Sequence, residues 1–306
     1  MIREIVYHGP PVMLRAYLRG GLHVSTRSLK RLKYREDGIK VNGENVTVRR
    51  MLSDGDRIAL DLREEEEDGQ TGKIIPVKLP LEIIWSDSFV TVCDKPAGMP
   101  THPVHGHLDD TAANALAWER LERTGKDDFV FRAAYRLDAN TSGLLITAND
   151  FVSSGVFFRQ VLSHGIKKRY LAITRGVPPH DGDGWVTIDQ PIARREDKNL
   201  MRTVTEGGSP ALTRYRVLCV SKGGDMALAA VETGTGRTHQ IRVHMAHAGC
   251  PLLGDFLYGE ESPLIGRHAL HACRVEFTHP ADGRRMVFTS PLPEDMAALI
   301  RDYFPG

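Results

Sequence analysis

The chain has 306 residues, of which 41% are hydrophobic and 26% are charged. This composition is ordinary for a soluble protein, and the length is sufficient for one large domain and one small one. No apolar run approaches the ~18 residues that a membrane span needs, and the N-terminus lacks the long apolar core of a signal peptide. The four cysteines lie far apart and form no C-x-x-C pair. We therefore expect reduced thiols and a cytoplasmic protein.

Charge is distributed unevenly along the chain. Residues 1–63 carry 13 Lys and Arg against 7 Asp and Glu, a balance of +6, whereas residues 64–306 carry 27 against 32, a balance of −5. Between Arg15 and Arg35 there are seven basic residues and no acidic one. Such a segment indicates either a polyanionic partner or a solvated helix face, and charge alone leaves both interpretations open.

The basic N-terminal segment has the pattern of two short helices followed by strands. Leu14 and Leu18 lie one helical turn apart and predict a first helix. Ser25 is the predicted cap of a second helix, which we expect to end at Gly38. The pair Asn42-Gly43 then predicts a β-hairpin turn.

An acidic segment follows at residues 64–80. It begins with five consecutive acidic residues, and glycines stand at 69 and 72. Because like charges repel and glycine disfavours regular structure, the segment is predicted to be an extended linker. The alternative is an acidic clamp that covers the basic N-terminal domain when its partner is absent.

From residue 81 onward, short strands outnumber helices. Strands are predicted at 81–85, 89–93, 143–147, 169–174, 213–220, 227–232, 272–277 and 286–288. Helices are predicted at 112–121, 152–163, 239–248 and 293–303. Because strands and helices do not alternate one for one, we expect an α+β fold with a mixed, largely antiparallel central sheet and flanking helices.

The most informative stretch runs from Tyr135 to Ile146 and reads Y-R-L-D-A-N-T-S-G-L-L-I. Asp138 precedes a run of small, turn-forming residues, and an apolar strand follows. This pattern places Asp138 on a loop at the mouth of a sheet, where catalytic groups are often carried. Local chemistry leaves Asp138 open as a nucleophile, a general base or a turn cap.

The segment R-L-D-A-N-T-S-G-L-L resembles the catalytic motif of the RluA-type pseudouridine synthases, which isomerise uridine within folded RNA. Three further stretches resemble motifs of that family in the expected order. They are C-D-K-P-A-G-M-P-T-H-P at 93–103, K-R-Y-L-A at 168–172, and a segment at 234–258 that begins G-T-G-R-T-H-Q-I-R. One such match is weak, but four in order are specific at the level of the family.

The N-terminal pattern of two helices, G-I-K-V-N-G and D-G-D-R-I is similar to the S4-type RNA-binding domain. The two resemblances together imply an S4-like RNA-binding domain at 1–63, an acidic linker at 64–80 and a catalytic domain at 81–306 with an RNA-binding cleft. A plain surface α/β module is the alternative for the first domain. We expect a monomer that binds structured RNA and needs no cofactor, because the isomerisation involves neither a redox step nor an activated donor.

The resemblance implies three catalytic residues. Asp138 would be the nucleophile, and Arg242 would keep it ionised and orient it from a helix that Thr238 caps. Tyr170 would pack on the target uracil, with its phenol available for the C5 proton. The alternatives are a surface arginine and a core tyrosine.

Further residues are expected to contact RNA. In the catalytic domain they are Lys95, His102, Arg136, Thr141, Arg237, His239 and Gln240. In the S4-like domain they are Arg27, Lys30, Arg31 and Lys33, which would bind phosphates and add affinity without sequence choice. Tyr135 departs from the family pattern, in which a histidine precedes R-L-D, so no role is carried over to it.

A zinc site is a rival interpretation of the segment at 239–250. It contains His239, His244, His247 and Cys250, which are residue types that bind zinc. The spacing matches neither H-E-x-x-H nor a C-x-x-C pair, so we predict no metal.

The leading hypothesis is therefore a pseudouridine synthase that acts on structured RNA, and ribosomal RNA is the expected target. A tRNA-modifying enzyme and a non-catalytic S4-type RNA-binding or ribosome-assembly factor are the alternatives. A glycoside or nucleoside hydrolase is disfavoured, because such enzymes usually use two paired carboxylates and no second acid stands beside Asp138 in the motif.

Overall fold

The computed structural model describes residues 2–63, 74–197 and 201–305. Residues 2–62 form a small unit whose apolar core also takes in Val152 of the larger part of the chain. Its elements are β1 (Ile2–Val6), β2 (Val12–Met13), α1 (Leu14–Ala16), a π-helical segment (Tyr17–Gly21), α2 (Thr26–Tyr34), β3 (Ile39–Val41), β4 (Glu44–Asn45), β5 (Met51–Leu52) and β6 (Arg57–Asp61). An antiparallel sheet has the order β1-β6-β3-β4, and β2 pairs with β5.

Local sequence signals explain most of this unit. The Ser25 hydroxyl accepts a hydrogen bond from the Ser28 backbone N–H and caps α2, as predicted. Asn42 and Gly43 have φ of 52° and 86°, the positive values that a tight turn between β3 and β4 requires. The predicted end of α2 at Gly38 was wrong, because Arg35 is already extended, with ψ of 133°.

The larger part of the chain is built on a nine-stranded sheet. Its elements are β7 (Glu82–Ser86), β8 (Val90–Lys95), α3 (Ala112–Thr124), β9 (Ser142–Ala148), α4 (Phe151–Leu162), β10 (Lys167–Arg175), β11 (Val186–Asp189), β12 (Ile192–Arg194), β13 (Arg202–Val204), β14 (Leu212–Val220), β15 (Met226–Thr233), α5 (Gln240–His247), β16 (Leu270–Thr278), β17 (Arg285–Thr289) and α6 (Glu294–Tyr303). The sheet order is β11-β14-β15-β10-β16-β9-β8-β7, and β17 also pairs with β16. Only the pair β9–β16 is parallel among the described strands.

The sheet confirms the expected α+β fold with a mixed, largely antiparallel sheet. All predicted strands and helices after residue 81 are present, with ends displaced by at most three residues. Sequence patterns missed β11, β12 and β13, because segments of three or four residues are too short for alternation to identify them. No helix in the described ranges is long and apolar enough to cross a bilayer.

Gly143 fixes the start of β9, the strand that follows Asp138. Its φ is +113°, and a Cβ atom there would lie 2.4 Å from the backbone oxygen of Ala272. Only glycine therefore allows β9 to lie against β16 at this point. The loop that carries Asp138 consequently ends in a strand whose seven residues are all buried.

The N-terminal unit packs directly on α4. Arg3 is buried at this contact, where it pairs with Asp150 at 3.4 Å and donates to the Ser153 hydroxyl at 2.9 Å. Asp150 also caps α4 by accepting hydrogen bonds from two backbone N–H groups. The position of an added Cβ on Gly155 lies 2.3 Å from the carbonyl oxygen of Leu22. The absence of a side chain on α4 thus allows the two units to touch.

The predicted boundary at residue 63 and the S4-like identity of the first unit stay predictions. Residues 64–73, which include all five acidic residues of the predicted linker at 64–80, lie outside the described residues.

Replacing Gly155 by alanine is expected to weaken this contact. The added methyl group would overlap the Leu22 carbonyl, and overpacking of this kind costs about 1–3 kcal/mol. Denaturant unfolding should show that loss in the free energy of unfolding. Gly20→Ala is the control, because Gly20 has no atom within 4 Å of an added Cβ. Equal stability of both variants would contradict the proposed close contact.

Candidate active site

A cavity of about 420 Å³ lies where the Asp138 loop, β10, the segment after β15 and the start of α5 meet. The three residues predicted to be catalytic, Asp138, Tyr170 and Arg242, all line it. Residues from three of the four sequence motifs are therefore brought to one place by the folding of the sheet.

Arg242 links two carboxylates. Its Nη1 donates to Asp138 Oδ2 at 3.3 Å, while Nε and Nη2 donate to the two oxygens of Asp255 at 2.8 Å each. Arg242 and Asp255 are buried, whereas Asp138 remains partly accessible from the cavity. The guanidinium is thus held rigidly on one side and offers its remaining N–H to Asp138.

Asp255 was not identified from the sequence, although it lies within the 234–258 motif. Burial acts to raise its pKa, but the hydrogen bonds and charge of Arg242 outweigh burial and hold the pKa below its usual range. The backbone N–H groups of Leu257 and Tyr258 also donate to it, at 3.2 and 3.3 Å. A buried acid with these partners is ionised and fixes the orientation of Arg242.

The start of α5 differs from the prediction. Thr238 does not cap the helix; His239 stands at the cap in a left-handed conformation with φ of 57°, and no side chain caps the end. The His239 ring shares a hydrogen bond of 2.9 Å with the hydroxyl of Tyr258, and its Nε2 lies 3.9 Å from Asp138 Oδ2. Burial lowers the pKa of His239, so the ring is neutral at neutral pH. This unusual backbone turns His239 towards the cavity.

Tyr170 lies on β10 with its side chain almost fully buried between the cavity and the main core. Burial raises its pKa, and the carboxylate of Asp138 raises it further. The phenol is therefore protonated at neutral pH in the free protein. Its ring forms one wall of the cavity, a position suited to stacking.

Lys95 does not line the cavity, contrary to expectation. It is fully buried, and its ammonium group donates to the carbonyl oxygens of Pro96, Met99 and Ala139 at 2.8, 2.7 and 2.9 Å. Burial lowers the pKa of Lys95 to about 7, while the charge of Asp138 acts in the opposite direction. Lys95 thus ties the loop at 96–99 to the residue that follows Asp138.

Two other predicted contact residues are also occupied by internal bonds. The Gln240 carboxamide oxygen accepts from the Thr235 hydroxyl and the Arg237 backbone, and its nitrogen donates to Leu212 and Thr213. Thr141 is buried against His268, with a hydrogen bond of 2.8 Å between their side chains. Both line the cavity wall but shape it from within the protein.

Arg136 and Arg237 are exposed at the rim of the cavity, as an RNA-contacting role requires. His102 is half-buried, and burial together with Arg136 lowers its pKa. On α2, far along the chain from the cavity, Arg27, Lys30 and Lys33 are exposed and Arg31 is partly exposed.

Tyr135, the departure from the family pattern, is held by a hydrogen bond from its hydroxyl to the carbonyl of Leu144 at 2.7 Å. The ammonium group of Lys168 lies 5.0 Å from its ring centre. Among the residues that the structure describes, no group of three or more His, Cys, Asp and Glu side chains could hold a metal ion.

Arg267 is a further residue that sequence patterns did not single out. It forms a two-point ion pair with Asp295, at 2.7 and 3.0 Å, and its third nitrogen donates to the Asn140 carbonyl at 3.1 Å. The Asp138 loop is therefore held in place by two hydrogen bonds, from Arg267 to the Asn140 carbonyl and from Lys95 to the Ala139 carbonyl. Arg267 lies outside the four motifs, and the motif that contains Lys95 indicated a contact with RNA instead of this role.

Comparison with known proteins agrees with this geometry. Residues 90–247 match the family model of RNA pseudouridylate synthases. The chain is 35% identical to "Uncharacterized RNA pseudouridine synthase YjbO" of Bacillus subtilis over 92% of this chain and 96% of that protein. It is 34% identical to "Ribosomal large subunit pseudouridine synthase D" of Pseudomonas aeruginosa, over 87% and 84% of the two chains.

Among solved structures, human "RNA Pseudouridylate Synthase Domain Containing 1" superposes with a TM-score of 0.58 at 28% identity, covering 74% of this chain and 89% of that one. The family model spans the Asp138 loop, β10 and α5, which form the cavity. The chain belongs to the RNA pseudouridine synthase family, whose members are isomerases.

Proposed function

We propose that this enzyme isomerises one or more uridines of ribosomal RNA, with Asp138 as its nucleophile. The observation that carries the proposal is the Asp138 carboxylate in the cavity, paired with an arginine that a second, buried acid holds in place. Relatives named ribosomal large subunit pseudouridine synthase D support ribosomal RNA as the target.

The reaction breaks the N1–C1′ glycosidic bond of uridine, turns the base and joins C5 to C1′. The C5 proton leaves and N1 gains a proton, so the product is an isomer of the substrate. Because a stacked base is inaccessible, the nucleotide must be flipped out of its helix into a pocket. A cavity of about 420 Å³ is of the size that holds such small ligands.

The pairing of Asp138 suits a nucleophile. A single hydrogen bond of 3.3 Å from Arg242 orients the carboxylate and leaves the rest of it open to the cavity. Because Arg242 is bound twice to Asp255, it does not have to reorganise when negative charge on Asp138 changes during the reaction.

Other residues in and around the cavity would bind the uracil and the RNA backbone. Tyr170 would stack on the uracil, and its raised pKa makes the neutral phenol the form present when substrate binds. Arg136 would occupy the gap that the flipped base leaves or contact a phosphate, and Arg237 would bind phosphate at the rim. The basic face of α2 would add affinity for structured RNA without choosing a sequence.

The first test replaces Asp138 by asparagine, which keeps its shape and removes its charge. With ribosomal RNA carrying tritium at uridine C5, we expect the release of tritium to fall by at least about 10⁴-fold, the scale seen when an enzyme loses its nucleophile. RNA binding should persist, because affinity for phosphates comes from cations and not from a carboxylate. Asp128→Asn, remote from the cavity, should keep full activity, and an active Asp138→Asn enzyme would refute the mechanism.

The second test replaces Asp255 by asparagine. The buried Arg242 would lose its charged partner, so the free energy of unfolding should fall by about 3–5 kcal/mol. Because the guanidinium would shift relative to Asp138, kcat should fall on the order of 10²-fold with little change in KM.

Asp128→Asn is again the matched control, since Asp128 also pairs twice with an arginine, Arg120, at 3.0 and 3.2 Å. That pair is 30% exposed, so its loss should cost less than about 1 kcal/mol. Full activity of Asp255→Asn would show that Arg242 needs no second acid.

A third test replaces Lys95 by methionine. Three carbonyl oxygens, of which that of Met99 is buried and those of Pro96 and Ala139 are partly buried, would lose their donor, at a cost of about 3 kcal/mol in the free energy of unfolding. Tritium release should also slow, because the backbone beside Asp138 is no longer tied down. Lys126→Met, at an exposed position, should change neither quantity, and a Lys95→Met enzyme that matched it would contradict the positioning role of Lys95.

A further inference from the structure

A second basic surface lies on the face of the central sheet opposite the cavity. Trp185, just before β11, is surrounded by the guanidinium groups of Arg169, Arg214 and Arg216, at 6.0, 5.0 and 5.6 Å from its ring system. These four residues form the Trp185 cluster. It takes no part in the site around Asp138.

Strand alternation shows on which face the cluster lies. Lys168 and Tyr170 line the cavity, so Arg169 between them points to the other face. On β14, Thr213 and Tyr215 are buried in the interior, whereas Arg214 between them is exposed.

The Trp185 cluster lies near the same ends of the strands as the cavity. Arg169 and Arg214 both stand opposite Glu232 in the strand register, on the two sides of β15. The next residue, Thr233, lines the cavity. The cluster and the cavity therefore occupy the two faces of the sheet at the same level along its strands.

Around the Trp185 cluster, the face of the sheet opposite the cavity is accessible to solvent in the described chain. At the other end of the strands, α6 covers the sheet, where Met296 and Leu299 pack with Leu228 of β15. Over the cluster, Arg214 is exposed and Trp185 is only partly buried within the described chain.

The cluster has more positive charge than its neighbours neutralise. Glu232 pairs with Arg169 at 2.8 Å. In the described ranges, Arg214 and Arg216 contact the indole but no acidic side chain, and Arg216 Nε is buried without a hydrogen-bond partner. Cations placed this close together repel one another, so the arrangement is favourable where an anion binds between them.

We propose that the Trp185 cluster binds a second, single-stranded segment of the RNA substrate, which passes over the β11 edge of the sheet from the active-site cavity. Guanidinium groups bind phosphates with two parallel hydrogen bonds, and an unpaired base stacks on an indole. RNA is favoured over an acidic protein because the cluster combines an aromatic face with arginines and lies on the sheet that carries the RNA-modifying site, at the same level along its strands. The inference rests on the proposed function for the identity of the RNA.

The test measures binding of protein-free large-subunit ribosomal RNA at several KCl concentrations. Arg214→Gln/Arg216→Gln should weaken binding and reduce the slope of log Kd against log[KCl] by about 1.4, because each phosphate contact to a single strand contributes about 0.7. Arg284→Gln/Arg301→Gln removes the same charge from exposed arginines elsewhere and should leave the slope unchanged. Arg214→Lys/Arg216→Lys retains the charge and should keep most of the slope.

Trp185→Leu tests the stacking contact separately. Affinity should fall about tenfold, as expected for the loss of one stacked base, while the salt slope stays the same. Thermal unfolding midpoints equal to that of the unaltered enzyme would show that each variant is folded. The proposal would be overturned if Arg214→Gln/Arg216→Gln and Trp185→Leu both matched the Arg284→Gln/Arg301→Gln control in RNA affinity and in salt slope. That result would indicate an acidic protein partner instead.

Tritium release by the unaltered enzyme separates the two proposals. Release together with unchanged binding by Arg214→Gln/Arg216→Gln would overturn the inference and leave the proposed function intact. The opposite result, reduced binding by the variant without release by the unaltered enzyme, would support the RNA surface and refute the proposed reaction.

Discussion

The active site depends on one buried ion pair. Arg242 and Asp255 are held together by two hydrogen bonds of 2.8 Å, and this pair places the third nitrogen of Arg242 beside Asp138. Taking both charges out of water is costly, and the pair compensates only because its geometry uses both oxygens of the acid. The protein accepts this cost beside Asp138, the proposed nucleophile.

The rest of the fold brings the partners of this pair together and holds them still. Asp138 lies on a loop that the buried Lys95 holds at Ala139 and that leads into β9, where only glycine at position 143 fits against β16. Arg267 holds the intervening Asn140 carbonyl. The nucleophile candidate is thus on a loop with very little freedom, as a preorganised site requires.

Patterns in the sequence predicted the α+β architecture of the larger part of the chain and the proposed catalytic residues, which lie in short motifs. Asp138, Tyr170 and Arg242 each stand in a distinctive local sequence, and all three reach the cavity. Buried partners could not be predicted in the same way. Asp255 and Arg267 are separated from Asp138 by more than a hundred residues, and their importance follows from which strands lie next to one another.

Lys95 likewise shows that a local sequence pattern does not reveal which side chains become buried. A lysine in a matched motif suggested a contact with RNA, but its burial is a property of the folded loop and is not visible in the local pattern. Thr238 was expected to cap α5 because threonine is a good capping residue, yet the chain places His239 there in a left-handed conformation. A requirement of the site, the contact of His239 with Tyr258, prevails over local helix preference.

The central claim is that Asp138 carries out uridine isomerisation in ribosomal RNA. Its most direct test is to map pseudouridines in the ribosomal RNA of cells that lack this protein, with either the unaltered gene or Asp138→Asn reintroduced. The account predicts that at least one ribosomal pseudouridine disappears, returns with the unaltered gene and stays absent with Asp138→Asn. Unchanged ribosomal RNA in the deletion strain, or restoration by Asp138→Asn, would contradict it.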